Sequence, residues 1–101
     1  MRLTHFLVLA AVLAMSTATA AEPNVTGQRL SATCAACHGA NGAAVGGALP
    51  GLSGQSKDAL VSSMKEFKAG TRQATIMQQL AKGYTDEQIE SIAAYFAAQK
   101  K

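Results

Sequence analysis

The chain lacks tryptophan, and its 101 residues include only two cysteines, two histidines and two prolines. Each scarcity excludes something. Two cysteines are too few for the disulfide framework of a small secreted scaffold. One of the histidines, His5, lies in an N-terminal segment set apart below, leaving Cys34, Cys37 and His38, one ligand short of a four-coordinate Cys/His zinc site. Charge is sparse and nearly balanced, nine Lys and Arg against six Asp and Glu, too weak to argue for nucleic acid. No alternating apolar and polar run is long enough for a strand, so the fold class is all-α. The length accommodates one domain.

The apolar share of 49% is inflated by the extreme N-terminus. Arg2 precedes the ten-residue apolar run Phe6 to Met15, which leads into the small residues Ala18-Thr19-Ala20. A basic start, an apolar middle and a small-residue exit read as a secretory signal peptide over residues 1–20, cut before Ala21. The run is too short for a membrane span, which takes about 20 apolar residues. The domain is therefore expected over residues 21–101, in the periplasm. Those 81 residues keep eight basic and six acidic side chains, a formal +2. A chain of that size is at the limit of what an apolar core supports unaided. Something else should complete the core.

Local signals place three helices and one long loop. The first helix starts near Val25 or Thr26, with Asn24 or Thr26 as N-cap, and runs into the cysteines. Residues 39–54 hold six of the nine glycines plus Pro50 and show no apolar periodicity, so they read as loop. A loop this long in a small domain is usually functional, and wrapping a ligand is one such function. Ser56 caps a second helix with a stripe of Leu60, Met64 and Phe67, closed by Gly70. Thr71 to Lys82 reads as loop followed by a short helical turn ending at Gly83. The last helix carries a capping box, Thr85 with Gln88, and the staple pair Tyr84 and Ile89. Its expected apolar face is Ile89, Ile92, Ala93 and Phe96, with Lys100 and Lys101 at its negative end.

Cys34-Ala35-Ala36-Cys37-His38 is the most informative stretch. Two thiols three positions apart on a helical turn can reach both vinyl groups of one haem and form thioethers. The adjacent His38 then lies under the ring, where an imidazole nitrogen can bind iron. A thioredoxin-like redox pair is the competing reading, but it needs a βαβ context. An inert disulfide in an exported protein, with His38 a surface histidine, is the other. If haem is bound, the missing second histidine excludes bis-histidine ligation, and methionine is the soft alternative. Met64 falls on the second-helix stripe and reads as core filler. Met77 lies outside the strong amphipathic helices, thirty-nine residues after His38, with chain enough to cross the ring. Pro50, stiff and in a loop, is the candidate to orient His38 through its carbonyl.

Cys34–His38, Leu49-Pro50-Gly51-Leu52, Met77 and the closing Ile92-Ala93-Ala94-Tyr95-Phe96 together resemble a class I c-type cytochrome of the small bacterial periplasmic monohaem kind. Phe67-Lys68-Ala69-Gly70-Thr71-Arg72, then Ile76-Met77 and Ala81-Lys82-Gly83-Tyr84, are similar to the cytochrome subunit of flavocytochrome c sulfide dehydrogenase. The resemblance implies the cytochrome c fold, three to four short helices and a glycine-rich loop around one haem c. It also implies attachment at Cys34 and Cys37, iron ligation by His38 and Met77, and orientation of His38 by the Pro50 carbonyl. The first and last helices would cross where Gly27 and Leu30 meet Tyr95 or Phe96. Mitochondrial members carry an aromatic where Leu30 stands and a tryptophan at a propionate. Neither is present here, and Arg72 is the candidate propionate partner.

The function so implied is a one-electron carrier and not an enzyme, serving redox protein partners. A flavoprotein subunit that oxidises sulfide is the first candidate. A free-standing periplasmic carrier to a terminal oxidase and a haem-based ligand-binding sensor are the alternatives.

Overall fold

Four apolar residues spaced along Asp86–Ala97 build the centre of the molecule. In the computed structural model, which describes residues 24–44, 46–47 and 49–101, this segment is a helix whose Ile89, Ile92, Ala93 and Phe96 are all buried. The segment expected to be a signal peptide, residues 1–20, lies outside the described residues. Among the described residues the chain forms α1 (Val25–Leu30), α2 (Ala35–His38), α3 (Lys57–Ala69), α4 (Met77–Lys82) and α5 (Asp86–Ala97), with no strand. No helix among them is long and apolar enough to cross a membrane.

The start of α5 is fixed by its capping box. Thr85 Oγ1 accepts from Gln88 N–H at 3.1 Å, and Gln88 Oε1 accepts from Thr85 N–H at 2.9 Å. These bonds satisfy two backbone donors that the first turn would otherwise leave open. At the other end the helix stops at Ala97, short of Lys100 and Lys101, and its last turn carries no basic residue. Gly54 N–H donates to Phe96 O at 2.9 Å and Gln99 Nε2 donates to Tyr95 O at 2.9 Å. Hydrogen bonds therefore close this terminus where the sequence suggested charge.

Helix α1 crosses α5 at close range. Asn24, not Thr26, is the N-cap: its Oδ1 accepts from Gly27 N–H at 2.7 Å while its Nδ2 donates to Ser91 O at 2.8 Å. A Cβ on Gly27 would lie 2.3 Å from Ser91 O, so only glycine fits this crossing. Gly27 thus meets α5 at Ser91, one turn before the expected Tyr95, while Leu30 packs on the cluster containing Phe96. Beyond Leu30 the chain tightens into a 3-10 turn, Ser31–Cys34, before α2. Ser31 Oγ donates back to Gln28 O at 3.0 Å, competition of the kind that interrupts α-helical bonding.

Helix α3 packs against α4 and α5. Ser56 Oγ accepts from Ala59 N–H at 3.1 Å, and Gly70 closes the helix in the left-handed region at φ 78°. Of the expected stripe only Leu60 is buried, in the cluster with Ile92, Ala93 and Phe96. Met64 and Phe67 are half-buried. The Phe67 ring is instead covered by the Arg72 guanidinium, 4.9 Å from its centroid, a cation–π contact. Residues 39–54 are not featureless loop, because Ala40–Gly42 form a second 3-10 turn with Asn41 at φ 54°. Tyr95 O–H donates to Asn41 Oδ1 at 2.5 Å and ties this turn to α5.

Candidate functional site

Cys34 ends the 3-10 turn, and Cys37 and His38 are the last two residues of α2. The helical turn between the thiols places both on one short rigid element, and both are free. Cys34 is half-buried and packs on the core cluster, whereas Cys37 is exposed. Burial pushes the Cys34 thiol above its ordinary range. A redox-active Cys-x-x-Cys pair works through a lowered thiolate, so this environment argues against the thioredoxin-like reading.

His38 is fixed by one hydrogen bond. Its Nδ1 stands 2.9 Å from Pro50 O. A carbonyl can only accept, so Nδ1 carries the proton and Nε2 keeps its lone pair. This is the tautomer a metal-binding histidine needs, and a carbonyl is among its usual outer partners. The segment bearing Pro50 is itself held. Leu52 N–H and Ser53 N–H donate to Gly42 O at 2.8 and 3.1 Å, and Gln55 Nε2 donates to Gly51 O. Gly42 makes room for this approach: a Cβ there would sit 2.8 Å from Phe96 Cδ1 and 2.9 Å from Leu52 Cβ.

Met77 stands on a separate element, as the first residue of α4, half-buried. It makes no hydrogen bond to the His38–Pro50 pair. Met64 lies within α3, also half-buried. Arg72 is engaged on α3, donating to Ser63 Oγ at 2.7 Å with Glu66 at 3.9 Å.

The placement of apolar surface adds an observation that periodicity did not supply. Leu49 is 45% exposed beside Pro50, Ile76 is 56% exposed beside Met77, and Leu80 is 47% exposed one turn further along α4. Large exposed apolar side chains next to polar donors mark a surface meant to be covered. The buried core of the described residues holds only four large apolar side chains, Leu60, Ile89, Ile92 and Phe96. The donor set and this surface fit a haem: two free thiols on one turn, an imidazole with a free Nε2, a thioether, and apolar residues beside both sets. Gln55, Leu49, Ile76 and Leu80 were not singled out by the sequence, because no spacing rule marks them.

The cytochrome c family model matches residues 25–100. The chain is 39% identical over 87 residues to the cytochrome subunit of sulfide dehydrogenase from Chlorobaculum tepidum, covering 80% of this chain and 78% of that protein. It is 42% identical over 71 residues to cytochrome c-554(548) of Halomonas halodenitrificans, covering 67% and 86% respectively. Cytochrome c4 of Pseudomonas aeruginosa is 40% identical over 81 residues, and there the match spans 80% of this chain but only 40% of the longer relative. With the Cys34-x-x-Cys37-His38 turn, the family-wide match and these relatives in agreement, the chain belongs to the cytochrome c family of electron carriers, with haem c bound covalently through Cys34 and Cys37.

Proposed function

We propose that this chain is an exported monohaem carrier in which His38 Nε2 and the Met77 sulfur are the two axial iron ligands. The observation that carries the reading is the 2.9 Å hydrogen bond from His38 Nδ1 to Pro50 O. It commits one ring nitrogen to the protein and leaves the other for a metal, on the residue directly after Cys37. Haem c supplies a reversible one-electron iron couple when bound. Around it, Cys34 and Cys37 act as tethers, Pro50 O orients the imidazole, and Leu49, Ile76 and Leu80 keep water away. Methionine opposite histidine raises the reduction potential, and protein ligands on both faces leave no open position for a substrate.

Residues 1–20 have the make-up of a signal peptide, and cleavage before Ala21 would deliver the domain to the periplasm. The likeness to a sulfide dehydrogenase subunit supports a flavoprotein as electron donor. Purification from the native source tests that partner: a flavin-bearing protein should arrive with the cytochrome, whereas a cytochrome arriving alone points to a free-standing carrier. Acid–acetone extraction of denatured protein tests the attachment, since the haem should stay with the polypeptide. Carbon monoxide binding by the reduced form at ordinary affinity would instead identify a sensor.

A further inference from the structure

The carbonyl that orients His38 belongs to a segment with little stiffness of its own. Gly51 directly follows Pro50, and Gly54 closes the stretch at φ 71°. Glycines on that side of the carbonyl leave the backbone free to turn, so contacts must fix the Pro50–Gly51 peptide unit. Two backbone donors, Leu52 N–H and Ser53 N–H, bind Gly42 O, but both lie beyond Gly51. Among the described residues, one side chain besides His38 hydrogen-bonds to the backbone of residues 49–53: Gln55, whose Nε2 donates to Gly51 O. Its orientation is unambiguous, because only the amide nitrogen can pair with a carbonyl.

Gln55 delivers that bond from a rigid base. Its own N–H donates to Leu52 O at 3.3 Å, and the next residue, Ser56, caps α3 through Ala59 N–H. The side chain is half-buried, which slows competition from water. We propose that Gln55 is a positioning residue for His38: by gripping Gly51 O it holds the peptide unit whose Pro50 oxygen accepts from His38 Nδ1–H. The inference rests on the reading of His38 as an iron ligand. Donation from Nδ1–H makes the imidazole a stronger electron donor through Nε2, and the bond weakens steeply as its angle opens. A loosened Pro50 carbonyl would therefore leave the oxidised iron less well stabilised, and the potential would rise.

The test uses the haem-loaded Gln55→Met protein, which keeps side-chain length and removes the donor. The His38 Nδ1–H of the reduced form, followed by NMR, should exchange with solvent about fivefold faster, the factor set by one ordinary intramolecular hydrogen bond. The potential should move upward, a readout that loss of stability alone would not shift in a fixed direction. Wild-type exchange together with a wild-type potential overturns the proposal. Should the variant fail to accumulate, the wild-type protein still decides, because a Gln55 carboxamide exchanging as fast as free glutamine amide is incompatible with it. Hyperfine shifts of the His38 ring protons in the oxidised protein report ligation separately. Unshifted ring protons would overturn the ligand reading, and with it the predicted change in potential, while leaving the Gln55 contact observable.

Discussion

Replacing Gly27 by alanine tests the α1–α5 crossing at its tightest point. The added Cβ would lie 2.3 Å from Ser91 O, 2.4 Å from Asn24 Nδ2 and 2.8 Å from Asn24 Cγ, all well inside contact distance. Forcing a methyl group into a packed crossing costs about 1–3 kcal/mol. The Asn24 carboxamide must also move, which removes its cap on Gly27 N–H, worth about 1 kcal/mol. Its bond to Ser91 O is lost too, at about 1 kcal/mol. Alanine's better helix propensity returns about 1 kcal/mol, leaving a net destabilisation of roughly 2–4 kcal/mol. For a domain of this size that lowers the melting temperature by roughly 10–25 °C. Far-UV circular dichroism of the oxidised haem protein, melted by heat and by denaturant, reads the change. Gly47→Ala is the control, since a Cβ there meets nothing within 4 Å and its φ is not positive. It should be neutral or stabilising by about 0.4–1 kcal/mol. A Gly27→Ala protein within about 0.5 kcal/mol of wild type, the scatter of ordinary surface changes, would refute the close approach of α1 to α5.

Two further outcomes follow from the same structure. Met77→Ala should abolish the weak red charge-transfer band that thioether sulfur gives on ferric haem, lower the potential and open the iron to cyanide. Met64→Ala should keep that band and cost only roughly 1–2 kcal/mol, less than a fully buried methionine because the residue is half-buried; loss of the band in this variant alone would move the ligand to α3. Removing the haem should leave a chain without cooperative unfolding, because bound haem contributes stability to the native state alone; an apoprotein with near-native helix content and a sharp transition would show that the four large buried side chains suffice.

Much of the helical frame was legible because its signals are local. Thr85 with Gln88, Ser56 before α3, Gly70 in the left-handed region and Gly83 after α4 each act within one turn, so their spacing alone specifies the geometry. The buried face of α5 was legible for a similar reason, since four residues at helical spacing leave no second choice of face. What escaped depends on distant partners. Periodicity identifies the Leu60–Phe67 side of α3 but not how much of it a neighbour covers, so Met64 and Phe67 emerge half-buried. Gly27 signals a close approach but not its register, which the backbone of Ser91 settles one turn from Tyr95. The 3-10 turns at Ser31–Cys34 and Ala40–Gly42 arise from bonds three residues back that no residue pattern announces.

The site divides along the same line. Covalent attachment demands two thiols at fixed spacing and a neighbouring histidine, so Cys34, Cys37 and His38 declare themselves in sequence. Pro50 stood out by stiffness, but its distance to His38 is a product of Gly42 accepting from Leu52 and Ser53. Gln55 had no signature at all, because a carboxamide gripping a carbonyl four residues away resembles any polar loop residue. The exposed Leu49, Ile76 and Leu80 show why these pieces belong together. Helices α1, α3 and α5 bury their apolar residues against one another, while the apolar surface left over lies beside Pro50 and Met77. A change at Gly27 should therefore cost stability and leave the haem spectrum alone, and a change at Met77 should alter the spectrum first. Spectra and melting curves measured on both variants would separate the two halves of the core, and a Gly27→Ala protein with a displaced charge-transfer band would show that they are one.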